Sequence, residues 1–506
     1  YTRQTDDRGT WYLPTPLNVE GIDANYTQIG PLNRQGTITY GPNDTAESFD
    51  FGEGRGWDGH VSGGSIKLDL GNDWQLVDRF NLTKGEANTF GLVPNGSATT
   101  VANVADNGES ATGAVTGTVY DGDTPIQQIG RWVVLKDIEA FTNDLAVSKS
   151  WEDFDTSFGI YSASTKANDW WSIGNTAYHV LQPGGELLDG IECNTDAQGC
   201  DWNYDISSVG DASTFAVYAT GTWYATTDLS IDLGLRRENH EVSYSVDEGL
   251  DGEITKALEY DETKTSWTVG ANYALNDTSG VFVRMNRGYK MPYFDDFRDN
   301  WGAYTGGNDL IKEVTQGELG YKFMNDSIQF FATAFANEVK GDTFVRRPGA
   351  PAEILTNEAY GLELDGRYSH DSGFSLSVNA TIQETEITAS ANNEGNESQR
   401  QPGWQVRVTP SYGFDIGDMY ATVYGTLSAV DDRFGNNENT VVLEGYEKID
   451  VGLTLEPTES LRLQFSVDNL TDEQGITEGD PRNPDSPNGR YIMPRSMKLS
   501  VSYLFF

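Results

Sequence analysis

The chain holds 506 residues, with 77 acids against 34 bases, and its formal charge of −43 excludes nucleic acid as a partner, which needs clustered Lys and Arg. Mean hydropathy is −0.50, and no apolar run approaches the roughly 18–20 residues of a membrane helix, so a helical membrane protein is excluded too. Twelve Trp, 25 Tyr and 22 Phe are too many for a disordered chain, which has little surface to bury.

Tyr1 to Arg8 has no signal-peptide pattern, so either a leader was removed or the chain starts internally. Three long polar stretches follow, roughly 13–56, 88–130 and 168–211, and they are expected to be loops. The last holds Cys193 and Cys200 in an Asp- and Asn-rich segment. A short-loop disulfide in an oxidising compartment is the expectation there, and two cysteines without nearby histidines make no zinc site. Beyond these stretches the periodicity is two. Trp267, Val269, Ala271 and Tyr273 alternate with polar residues. So do Phe374, Leu376 and Val378, then Ile449, Val451, Leu453 and Leu455, then Leu461, Leu463, Phe465 and Val467. Each is a strand with one apolar and one polar face.

Short turn signals at 71–73, 152–155, 227–228, 276–279, 325–327, 370–373, 417–418 and 457–460 separate the strands on one side, and long loops separate them on the other. About 18 strands are expected, many of 10 to 15 residues. A sandwich would need shorter strands and loops at both ends. The expected fold class is therefore all-β, a transmembrane antiparallel up-and-down β-barrel with its apolar face to lipid and its polar face to a lumen. Residues 1–506 are expected to form this one outer-membrane domain. Trp223, Tyr224, Trp267, Trp404, Tyr503, Phe505 and Phe506 suit the interfacial aromatic girdles.

The C-terminal part resembles a TonB-dependent outer-membrane receptor. Residues Leu461 to Glu473, with Asn469-Leu470-Thr471-Asp472, resemble the family's penultimate strand, and Pro494 to Phe506 its closing strand with an aromatic terminus. The alternation makes Phe505 the expected terminus, so Phe506 is one residue extra. Val281 to Pro292, with Arg287-Gly288-Tyr289, is similar to another family strand, as are Glu313 to Lys322 and Tyr360 to Leu364. The resemblance implies a barrel of about 22 strands occluded by a plug. On this reading the plug and first strands lie outside these residues, and the chain is the C-terminal portion of a longer receptor. The implied partners are outer-membrane lipid, the TonB complex through that plug, and a small-molecule or oligosaccharide ligand. The implied location is the outer membrane of a Gram-negative bacterium, with the protein expected as a monomer. The alternative is a complete 18-stranded porin, passive and sugar-selective.

No catalytic motif stands in a strand–helix context, and the four histidines, His60, His179, His240 and His370, are scattered, so no enzyme and no cofactor are expected. Binding has better candidates. Trp11, Tyr12, Trp57, Trp170, Trp171, Trp202, Tyr204, Tyr293, Trp301 and Tyr304 lie in expected outer segments beside acids and amides. Flat rings flanked by such groups suit sugars, whose C–H faces stack and whose hydroxyls hydrogen-bond. Oligosaccharide is the first expectation for the ligand and ferric siderophore the second, because an acidic mouth repels anions. Arg284, Arg407 and Arg462 are expected to face the lumen. The acidic loops 121–123 and 247–253 lack calcium-loop spacing and are read as solvated, with no metal site.

Overall fold

The computed structural model describes residues 2–7, 15–17, 19–106, 108–191, 203–345, 351–479 and 488–505. Among these, eighteen antiparallel strands run up and down in one sheet. They open with β1 (Thr2–Asp7), β2 (Arg55–Gly71), β3 (Trp74–Pro94), β4 (Pro125–Ser150), β5 (Phe154–Val180) and β6 (Asn203–Tyr224). The middle six are β7 (Leu229–Glu248), β8 (Lys256–Asn276), β9 (Ser279–Lys290), β10 (Lys312–Met324), β11 (Ile328–Phe344) and β12 (Glu353–Ser369). The last six are β13 (Phe374–Ala389), β14 (Trp404–Ile416), β15 (Met419–Val430), β16 (Tyr446–Thr458), β17 (Leu461–Asp468) and β18 (Ser496–Tyr503). Each strand pairs with its sequence neighbour from β1 to β18. The expected turns are present. At one of them Asn72 and Asp73 take positive φ of 52° and 66°, which Asn and Asp tolerate better than most side chains.

The register gives the sheet two chemically distinct faces. On one, Leu68 faces Leu76, Leu235 faces Trp267, Val283 faces Leu319, Leu362 faces Ile382 and Phe465 faces Leu499. All of these side chains but the half-buried Leu76 are exposed, as lipid-facing residues of a barrel must be. On the other, Arg79 faces Asp144, Asp144 faces Tyr161, and Tyr218 faces Arg236. Arg284, Arg407 and Arg462 also fall on this polar face, opposite Glu318, Asn379 and Ser502. Among the described residues no helix is long and apolar enough to cross a membrane, and the crossing is made by strands.

One expectation is corrected. Strands β4 and β5 have 26 and 27 residues and β6, β7 and β8 have 22, 20 and 21, well beyond the expected 10 to 15. Much of 88–130 and 168–211 is therefore paired strand rather than loop. A membrane needs only about 9–11 residues per strand, so this side of the barrel continues far above the bilayer as a wall. Water or loops cover both faces of the wall, and the apolar–polar alternation that marks a membrane strand is lost there.

The outer loop 291–311 holds two short helices, α1 (Phe294–Asp299) and α2 (Trp301–Thr305). The Tyr293 N–H donates to the Asp296 carboxylate at 3.0 Å and caps the first of them. Apolar packing concentrates where loops meet the wall. Ile38 and Phe51, from the loop before β2, pack with Phe90 and Val133 on one face. Phe294, Phe297 and Leu310 pack with Ile206, Val242 and Tyr244 on the other.

Candidate functional site

Strand alternation decides where the predicted aromatics go. Trp170 and Trp171 are neighbours in β5, so they point to opposite faces of the wall. Trp170 joins the outer side, where it sits 4.9 Å from the Tyr40 ring and 6.4 Å from Phe49. Trp171 joins the inner, polar-face side. There the Arg298 guanidinium lies 4.0 Å from its ring centre and the Trp132 ring 5.8 Å away.

The inner assembly gathers five of the predicted residues: Trp171, Tyr204, Tyr293, Trp301 and Tyr304. Tyr204, Trp301 and Tyr304 pack against the cluster formed by Phe294, Phe297 and their neighbours on β6 to β8. Phe297 has no exposed surface, and its ring meets Tyr260 and Tyr304 edge-on, each at 5.2 Å. Gly210 makes this packing possible, because a side chain there would collide with the Phe294 ring.

Charges lock the same segment to the wall. Lys136 Nζ reaches Asp169 at 2.7 Å and Asp295 at 3.4 Å, tying β4, β5 and α1 together. The Arg298 side chain is only 7% exposed and pairs with Asp295 and Asp299, each at 2.8 Å. Burial alone lowers the pKa of that guanidinium, and the two carboxylates outweigh it and raise the pKa. His240 is buried as well. Its Nε2–H donates to the Pro292 carbonyl at 3.0 Å, so Nδ1 accepts from the Thr214 hydroxyl at 2.8 Å. Lys136, Asp169, His240 and Arg298 were missed in the sequence. The only available signal was the Phe294-Asp-Asp-Phe297-Arg298 run, whose two Phe fall three apart on one helix face.

Trp57 stands apart from that assembly. Its indole covers Gly59 and Gly85, and with Trp170 it lines a cavity of about 690 Å³. Leu135, Asn88 and Asn168 also line it, together with Glu53, Asp58, Glu86, Asp137 and the pair Lys136–Asp169. Trp11, Tyr12, Trp202 and the Cys193–Cys200 pair lie outside the described residues. The acidic loops use their carboxylates on their own backbone. Asp121 accepts from the Asp123 N–H at 3.2 Å, and Asp247 from the Gly252 N–H at 2.9 Å. Among the described residues no group of three His, Cys, Asp or Glu could hold a metal ion.

An eighteen-stranded up-and-down sheet with a lipid-facing apolar side, short turns at one end and long loops at the other defines an outer-membrane β-barrel. The chain belongs to the TonB-dependent receptors: the family described as TonB dependent receptor-like, beta-barrel matches residues 1–470. It is thus a barrel of the Gram-negative outer membrane. It is 25% identical over 321 residues to the pesticin receptors of Yersinia enterocolitica and Yersinia pestis, covering 60% of this chain. The match spans 45% of the length of those relatives. The fold is similar to the ferric yersiniabactin uptake receptor FyuA from Yersinia pestis (TM-score 0.58, 15% identity, 93% of this chain and 80% of that one). It is also similar to BauA, the ferric preacinetobactin receptor from Acinetobacter baumannii (TM-score 0.60, 15% identity, 96% and 68%). The oligosaccharide expectation finds no support in these likenesses.

Proposed function

We propose that this barrel serves TonB-energised uptake of a ferric chelate of the siderophore class, received on the inner wall between β4 and α2. The observation that carries the reading is where the charge lies. The acidity of the whole chain argues against an anionic ligand, but the polar face does not share it. Arg79, Arg236, Lys264, Arg284, Lys322 and Arg407 sit there among the acids, so the lumen is of mixed charge and no uniform field excludes an anion. A second observation lowers the claim of sugars. The rings expected to stack on them are engaged with other protein groups: Trp170 with Tyr40 and Phe49, Trp171 with Arg298, and Tyr304 with Phe297.

The relatives support the same substrate class, since FyuA and BauA are named for ferric yersiniabactin and ferric preacinetobactin. TonB and a plug remain the proposed partners. The test is uptake of radiolabelled ferric chelates by cells carrying the gene as their sole receptor of this kind, with and without TonB. Iron accumulation that disappears without TonB is expected. Accumulation of labelled oligosaccharide, with none of iron, overturns the proposal.

A further inference from the structure

We propose that the lipid face of β2 to β5 is an interface with a second copy of this chain, centred on Asp78 and Asn143. The register puts Asp78 on that face. Ile66 on β2 and Leu145 on β4 stand directly opposite it, and both are exposed. Asp78 follows Trp74 by four residues, roughly 13 Å along β3. Trp74 and Trp151 mark the end of the barrel with the short turns, their rings 6.4 Å apart. A tilted strand of that length climbs about 10 Å into an apolar band about 25 Å tall, so the carboxyl lies in the hydrocarbon. Among the described residues of β7 to β18 the same depth carries no charge on this face. Leu233, Val283, Leu319, Val378, Val423 and Phe465 stand there instead.

An ionisable group in hydrocarbon is costly and is tolerated where another group pairs with it. Within one chain the pairing is incomplete. Asn143 Nδ2 donates to Asp78 Oδ1 at 2.7 Å, and its other hydrogen has only the Arg79 carbonyl at 3.4 Å, long for a hydrogen bond. Asp78 Oδ2 accepts no hydrogen bond among the described residues. Neither water nor a lipid headgroup sits at that depth, so the occupant is protein. A second copy fits by reciprocity. Each chain offers one open carboxyl oxygen and one amide N–H, and a two-fold axis along the membrane normal brings equal depths together. Each amide then donates to the other copy's carboxyl. The two carboxyls share one proton, because like charges that close do not both ionise in a dry site, and that proton is a further donor.

The surroundings are shaped for contact. A side chain at Gly64 would meet the Phe80 ring at 3.1 Å, so that ring leans toward β2 and leaves Asp78 and Asn143 half-exposed on β3 and β4. Ile66, Phe80, Leu145 and Ile160 supply exposed apolar area around them. Acyl chains are as apolar as these side chains, so packing alone gives little preference, and the hydrogen bonds decide where the copies meet. The pair takes the place of the expected monomer. The interface lies on the outside of the barrel, away from the assembly under α1 and α2, so it is independent of the chelate reading.

The probe is a photoreactive benzoylphenylalanine in place of Phe80 in the full-length protein, in outer membranes of cells that express two differently tagged copies. Illumination is expected to join the two tags. Asp78→Leu should lower the yield at least tenfold while the barrel keeps the heat-modifiable gel mobility of a folded one. The control carries the same group at Phe330, on the lipid face of β11, and should join no tags. Absence of a joined product overturns the proposal, and so do equal yields at Phe80 and Phe330, which mark random collision. A Phe80 product that holds one tag and a different protein overturns it as well, as does an undiminished yield in Asp78→Leu. Should that variant fail to insert, Asn143→Leu carries the same comparison.

Discussion

Glu186 offers the sharpest test of how the outer loops are held. The residue has no exposed surface, and its carboxylate is enclosed by the 113–120 hairpin. The N–H groups of Val115 and Thr116 donate to it at 3.0 and 2.9 Å, and the hydroxyls of Thr116 and Tyr120 at 2.5 and 2.8 Å. Burial by itself raises the pKa of this carboxyl, and the four donors outweigh it and bring the pKa down to about 2 from 4.5. The folded pKa is the depressed one, so the stabilisation is complete above about pH 4.5 and is lost as pH falls toward 2. By linkage it is worth about 3 kcal/mol at neutral pH, a factor on the order of 100 in local opening.

Hydrogen-exchange protection of residues 110–121 reads it directly. In the parent protein protection, corrected for intrinsic rates, is expected to hold from pH 7 to 5 and to fall below 4.5. In Glu186→Gln it is expected to be about 100-fold lower at pH 7 and flat with acid. Gly113→Ala should act likewise, because a methyl group there occupies the space of the carboxylate. Equal protection in parent and variant at pH 7, with no acid dependence in the parent, refutes the reasoning.

Three further outcomes follow from the packing. Lys136→Met leaves the buried Asp169 without its cation and should cost about 3–5 kcal/mol by chemical denaturation of the wall, with Asp169→Asn in the same chain restoring most of it. Gly210→Val drives Phe294 off the wall, at about 1–3 kcal/mol, and should make the 291–311 segment the first site of limited proteolysis. Leu319→Lys puts a charge on the lipid face of β10 at a cost of about 2–4 kcal/mol near the bilayer centre, seen as a lower unfolding midpoint in detergent.

The membrane part of the barrel was legible because lipid on one side and water on the other impose a period of two. Trp267 to Tyr273 and Leu461 to Val467 carried that signal, and the tight turns at 71–73 and 417–418 punctuated it. Above the bilayer the physical reason for alternation ends. Phe154–Val180 reads as a strand only in its first half, and its second half, with Asn168, Asp169 and two Trp, looks like any polar loop. Trp170 and Trp171 were therefore visible as aromatics of a polar segment, but their separation onto two faces needs the pairing with β4 and β6. The cation partners were illegible for another reason. Lys136, Asp169 and Arg298 are remote in sequence, and nothing local marks a Lys that will bridge a strand to a helix.

The strands differ greatly in height. β5 has 27 residues and β18 has 8, or roughly 90 Å against 26 Å along the strand. Above the short β17 and β18 the rim is built instead by the loop between them, whose Asn488 accepts from the Gln127 amide at 2.9 Å near the outer end of β4. The tall flank is thus a mooring post, and the loop of the short flank is tied to it.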